Sequence, residues 1–140
     1  MEHQNEGSGA AKPRDIRERT FEFAVRVVKL CRHLDERPGS GRVLGRQLIR
    51  AGTSVGANVE EAQAGQSRAD FISKNAMALK EARETRYWLR LLAATHSLSG
   101  VHLSELSSLE IEAEELARIL GAIIVSSKRR EAEPASLRST

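Results

Sequence analysis

Cysteine, proline and aromatic rings are all scarce in this chain of 140 residues. Its one cysteine, Cys31, cannot close an internal disulfide. That removes the oxidised scaffold of small secreted domains and any zinc site built on several thiolates. Three prolines, three phenylalanines, one tyrosine and one tryptophan leave little for a sheet-based core and favour helices. No apolar run occupies the first dozen residues, so no secretory leader is expected. The longest late run, Leu120 to Val125, is too short to span a bilayer. Together with the unpaired thiol this places the expected protein in the cytoplasm, away from membranes. None of His3, His33, His96 and His102 has a glutamate three residues before it, which fails the Glu-x-x-His requirement of a carboxylate-bridged di-iron bundle. Phosphate loop, dinucleotide fingerprint and nucleophile elbow are missing too, so neither cofactor nor metal is expected, and enzyme status is not.

What the chain has instead is helical period. Leu44, Leu48, Ala51, Val55, Val59 and Ala62 recur at steps of three and four. Gly45, Gly52 and Gly56 fall within that run, each costing an isolated helix about 1 kcal/mol. Small residues on such a face are expected to let another backbone come close. A tight connection at Gln63 to Gln66 follows, and Ser67 with Asp70 then reads as a capping box opening a long third helix. Its stripe runs through Phe71, Ile72, Asn75, Ala78, Ala82, Thr85, Leu89 and Leu92, several of them polar. A fourth helix, expected from about His102 to Ser104, repeats Leu106, Leu109, Ala113, Leu116, Leu120 and Ile123 as a plain core seam.

The first helix is entered at Pro13 and Asp15 and ends at Pro38-Gly39-Ser40-Gly41. It carries two apolar stripes: Phe21, Ala24, Val25, Val28 and Cys31, and Phe23, Val27, Leu30 and Leu34. Either the core face is wide, or the Phe23 stripe packs on a neighbouring subunit. The whole reads as a tail at 1–13, a bundle at 14–125 and a flexible basic tail at 126–140.

Formal charge is only +3, unevenly placed. The first and third helices are net basic, whereas the fourth sets Arg118 against five glutamates over Gly100 to Ser127. Such polarity suits head-to-tail association or an anionic partner. Arg19, Arg26 and Lys29 lie on one face of the first helix, Arg42, Arg46 and Arg50 on the second, and Arg83, Arg86 and Arg90 on the third. These stripes either track a phosphate backbone or are solvated helix surface. A polar cluster of Asn58, Glu61, Lys80, Glu81 and Glu84 reads as a buried network fixing helix register rather than a ligand site, since it holds no nucleophile or histidine.

The run QLIRAGTSVGANVEEA at Gln47 to Ala62, with DFISKNAMALKEARETRYWLRLL after it, resembles a family of small bacterial four-helix bundles. That family was first noted as the products of intervening sequences in large-subunit ribosomal RNA genes, and it includes the accessory protein of diversity-generating retroelements. The likeness covers about Ile16 to Ile124. It implies an all-α, antiparallel up-down four-helix bundle that assembles as a homopentamer, with RNA or structured nucleic acid, and a reverse transcriptase or other protein, as partners. Many relatives carry Pro where Gly56 stands, so a kink there is less firmly imposed. The expected function is non-catalytic presentation of basic helix faces to nucleic acid. Two alternatives stand beside it. One is a ribonuclease like the HEPN enzymes, whose spaced Arg and His pair is resembled by Arg90 with His96 and by Arg26 with His33. The other is a protein-interaction scaffold.

Overall fold

The structure, a computed structural model, describes residues 15–133; the expected tail at 1–13 and the end of that at 126–140 lie outside them. Four helices make up the described chain: α1 (Ile16–Leu34), α2 (Ser40–Ala64), α3 (Arg68–Ala94) and α4 (Gly100–Ala132). Short turns force each helix back along its predecessor, and cross-helix pairs run in opposite directions. Arg19 meets Glu112 while Arg26 meets Glu105, and Arg50 meets Glu84. α2 packs closely on α1 and α3, and α3 on α4; α1 and α4 close the ring more sparsely.

Each start has a local cause. The Asp15 carboxylate accepts from the Arg17 amide at the head of α1, and Ser67 Oγ accepts from the Asp70 amide at the head of α3. α2 passes Gly56 without interruption. α4 starts at Gly100, earlier than its periodicity suggests, and runs to Ala132, through seven residues that the sequence assigns to a tail. Ser127, buried near that end, shows that the extra turns still pack.

The core joins Phe23, Val27, Leu30 and Leu34 of α1 to Leu48, Val55 and Val59 of α2, Leu89 and Leu92 of α3, and the α4 seam from Leu106 to Leu120. The Phe23 stripe is therefore internal, not a subunit contact. Phe21, 68 % exposed, and Val25 face outward instead. Periodicity shows two stripes, but the roll of α1 decides which one enters the core.

That roll is set by α2. A Cβ on Gly52 would stand 2.9 Å from Val27 Cγ1, and one on Gly56 would stand 3.3 Å from the Thr20 carbonyl oxygen. The polar members of the stripes close on their own helices: Thr20 Oγ1 donates to the Ile16 carbonyl, Asn75 Nδ2 to Phe71 and Thr85 Oγ1 to Glu81. Core burial thus leaves these polar side chains satisfied without a partner helix.

Alanine at two glycines should have opposite effects. Gly52→Ala gains helix propensity but drives a methyl into stiff, buried Val27, and overpacking of this kind costs about 1–3 kcal/mol. Gly121→Ala meets nothing within 4 Å, so it should stabilise by roughly 0.5–1 kcal/mol. Thermal unfolding of the two variants should move Tm down and up respectively.

Candidate nucleic-acid interface

The basic residues singled out in the sequence divide into two groups in space. Arg19 makes a two-point contact with Glu112, Nε at 2.8 Å and Nη2 at 3.0 Å. Arg26 reaches Glu105 through Nε at 2.8 Å and Ser108 Oγ through Nη2 at 2.7 Å. Donating these hydrogen bonds to Glu112 holds the Arg19 guanidinium still more firmly charged. The polarity between α1 and α4 is therefore satisfied within the chain, where the sequence reading allowed it to drive association. Arg42 donates to the Asp35 carbonyl at 2.8 Å and caps the end of α1. Arg86 turns toward α4, 3.9 Å from Glu110, and its Nε is buried without a hydrogen-bond partner among the described residues.

Lys29, Arg46, Arg83 and Arg90 remain exposed, and no ion pair engages any of the four among the described residues. On α3, Arg83, Tyr87 and Arg90 follow one another at steps of four and three, so they share the outward face with Lys80. Tyr87 is 53 % exposed and sets its ring edge-on to Trp88, centroids 5.1 Å apart. This aromatic between two arginines is the feature that sequence reasoning missed; the four-three spacing was its only signal.

The polar cluster reorganises around Arg50. Its guanidinium donates to Glu84, whose carboxylate also accepts from Trp88 Nε1 at 3.0 Å. Glu81 lies 3.5 Å from Arg50, near enough to feel its charge, although Glu81 Oε1 is not aligned for a hydrogen bond. Among the described residues Asn58 bonds only the Ser54 carbonyl of its own helix, and Glu61 and Lys80 are exposed. The group that the fold assembles is thus Arg50, Glu81, Glu84 and Trp88, and it holds the ring on which Tyr87 leans. The bonds from Trp88 and Arg50 outweigh partial burial and hold the Glu84 carboxyl below its ordinary range.

The spaced arginine and histidine pairs do not meet. Arg26 is held by α4, and Arg90 stays on the outer face of α3. His33 and His96 instead line a cleft at the end of the bundle that neither arginine lines. Cys31 is buried and donates to the Gly45 carbonyl at 3.3 Å. Burial, helped by the Asp35 charge, pushes its thiol up to about 12, so it is no ready thiolate. Among the described residues no cluster of histidine, cysteine and carboxylates could hold a metal, and no helix is long and apolar enough to cross a membrane.

Fold and surface together define a small all-α bundle whose third helix presents an uncompensated basic face. The chain belongs to the family of 23S rRNA-intervening sequence proteins, which it matches over residues 12–122. It is similar to a crystal structure from Bacteroides thetaiotaomicron, described as a protein with unknown function from the S23 ribosomal protein family. That likeness has 41 % identity and a TM-score of 0.71, and covers 79 % of this chain and 98 % of the other. No curated protein matches. Neither description names a catalytic activity.

Glu84→Ala should lower stability by about 1–3 kcal/mol, because it strands the Trp88 indole N–H and the Arg50 charge. Glu61→Ala should stay within about 0.5 kcal/mol of wild type. Because the folded carboxyl of Glu84 lies below its unfolded value, its contribution is complete above about pH 4.3 and is lost as pH falls through the lowered pKa. Urea titrations of wild type and Glu84→Gln should therefore differ at neutral pH and converge in acid.

Proposed function

We propose that this protein is a non-catalytic homo-oligomer, pentameric as the resemblance implies, that lays the outer face of α3 along the phosphate backbone of structured RNA. In this role it serves as an accessory to an RNA-processing or reverse-transcribing enzyme. One observation carries the reading: Arg83 and Arg90 stand exposed and unpaired on either side of Tyr87, while Arg19 and Arg26 of α1 are neutralised by α4. Guanidinium groups suit phosphate oxygens, and an exposed ring offers a stacking surface to an unpaired base. Membership of the 23S rRNA-intervening sequence family supports an RNA partner over other polyanions.

Assembly is supported by the other side of the bundle. Phe21 and Val25 of α1 and Val43 of α2, 58 % exposed, lie outside the core. Beside Phe21 a hollow of about 260 Å³ runs between α1, at Ala24, and α2, at Thr53 and Ala57. A second copy covering this face would remove the aromatic ring from water. Phe21→Glu should shift the sedimenting species toward monomer with its helical circular dichroism unchanged. A wild-type protein that sediments as monomer at micromolar concentration would end the assembly claim.

RNA affinity should fall steeply with salt, since each neutralised phosphate releases counterions. Removing Arg83 and Arg90 together should flatten the slope of log affinity against log salt by roughly two units. Tyr87→Ala should cost about 1–3 kcal/mol for a single-stranded or looped RNA and little for a duplex. Arg19→Ala should leave affinity nearly unchanged, as its charge is already matched. RNA recovered from the complex should be intact. If wild type binds no RNA at low salt, the protein acts through protein contacts alone.

A further inference from the structure

His33, at the end of α1, His96, in the turn between α3 and α4, and His102, in the first turn of α4, line one open cleft of about 450 Å³. The rings of His33 and His102 stack with centroids 3.7 Å apart. Gly41 lies against Ser97, which brings the α1–α2 turn to the same place as the α3–α4 turn. His33 thus meets His96 and His102, more than sixty positions away, in a polar hollow with Arg37, and the basic face of α3 contributes nothing to it.

His96 is held there at a conformational cost. Its φ of 55° is the only positive value at a non-glycine among the described residues. It occupies the position after the α3 cap where glycine is usual, with its amide donating to Ala93 and that of Ser97 to Leu92. Glycine would close the same motif without strain. Strain of this kind persists where the side chain has work to do.

The cleft is also rich in hydrogen-bond donors. Carbonyls at the end of α3 are taken by the two amides just named, and those at the end of α1 by the Asp35 and Glu36 amides and by Arg42. The heads of α2 and α4 both point into the cleft region, and neither has a side chain capping its first N–H groups. Uncapped helix heads, a guanidinium and imidazoles together make a surface for an anion. The opposing charge is Glu36, 3.5 Å from His33 Nδ1; Glu105, one turn beyond His102, is engaged by Arg26.

We infer that this cleft binds a phosphate group, through His33, His96, His102 and Arg37, with affinity that rises as the imidazoles take up protons. Two imidazolium rings this close repel each other unless an anion lies beside them. A bound phosphate therefore favours the second proton, and binding and proton uptake are linked. The site is independent of the α3 face.

The test is calorimetric titration of the full chain with sulfate, whose charge is fixed between about pH 6 and pH 8, and with inorganic phosphate. Sulfate should bind roughly tenfold more tightly at the lower pH, with proton uptake seen as a dependence of the heat on buffer ionisation. His96→Gly should keep or raise Tm while weakening sulfate roughly tenfold, and His102→Gln should reduce the pH dependence without abolishing it, since His33 and His96 remain. A 5′-phosphorylated dinucleotide, too short to follow the α3 stripe, tells the sources apart. If it displaces sulfate better than its 5′-hydroxyl counterpart and better than phosphate, the ligand is a nucleic-acid terminus. If inorganic phosphate displaces sulfate and the dinucleotide does not, the ligand is a free phosphate. Absence of sulfate and phosphate binding to wild type at about pH 6, or unchanged binding in His96→Gly, would overturn the inference.

Discussion

The close approach of α2 to α1 is the constraint on which the rest of this bundle depends. With no side chain at Gly52, Val27 seats against the α2 backbone, and Gly56 does the same for the Thr20 turn. Fixing that contact fixes the roll of α1 about its axis. Once Val27 points inward, Phe23, Leu30 and Leu34 must share the core, because they lie within about a quarter-turn of it. The same roll carries Arg19, Arg26 and His33 to the flank that meets α4. It leaves Phe21 and Val28 on the opposite flank, beside α2. A packing decision made by two glycines thereby selects which charges are neutralised and which apolar groups stay outside.

Electrostatics follows from that geometry. Arg19 and Arg26, one heptad apart on α1, find Glu112 and Glu105, one heptad apart on antiparallel α4. Each pair is partly sheltered and well aligned, a better setting than an open surface pair, whose contribution is small. Because α4 matches α1 in this way, it has little left for α3, where only Arg86 leans toward Glu110. The outer charges of α3 are uncompensated for a structural reason. Its neighbours present their acids elsewhere.

Much of the fold was legible in the sequence. The α4 seam, the Ser67 start of α3 and the small-residue face of α2 all depend on local spacing, which a linear chain displays openly. The roll of α1 was not legible, since Phe21 and Phe23 differ by one position and both belong to regular stripes. Nor was the division of the arginines. Arg19 and Arg83 look alike until the partner helix is known, and 93 positions separate Arg19 from the glutamate that neutralises it. The polar cluster regroups in the fold: Glu81 and Glu84 face Arg50 across the α2–α3 seam, a partner that spacing assigns to a basic stripe instead. The histidine cleft had no linear signature, because its members come from three elements brought together only by the turns.

These separations bear on how the proposed activities combine. The apolar hollow lies between α1 and α2, the basic stripe on the outer side of α3, and the histidine cleft at the end where α2 and α4 begin. No residue of the α3 stripe lines either hollow. A second copy seated over Phe21 would therefore leave Arg83, Tyr87 and Arg90 in solvent, and each copy in a ring would present its own stripe. Weak phosphate contacts repeated around such a ring would gain through effective concentration, so a stripe of three residues per copy would bind more tightly than one copy alone. On this reading, assembly is not an addition to RNA binding but the means by which a small basic face becomes an effective one.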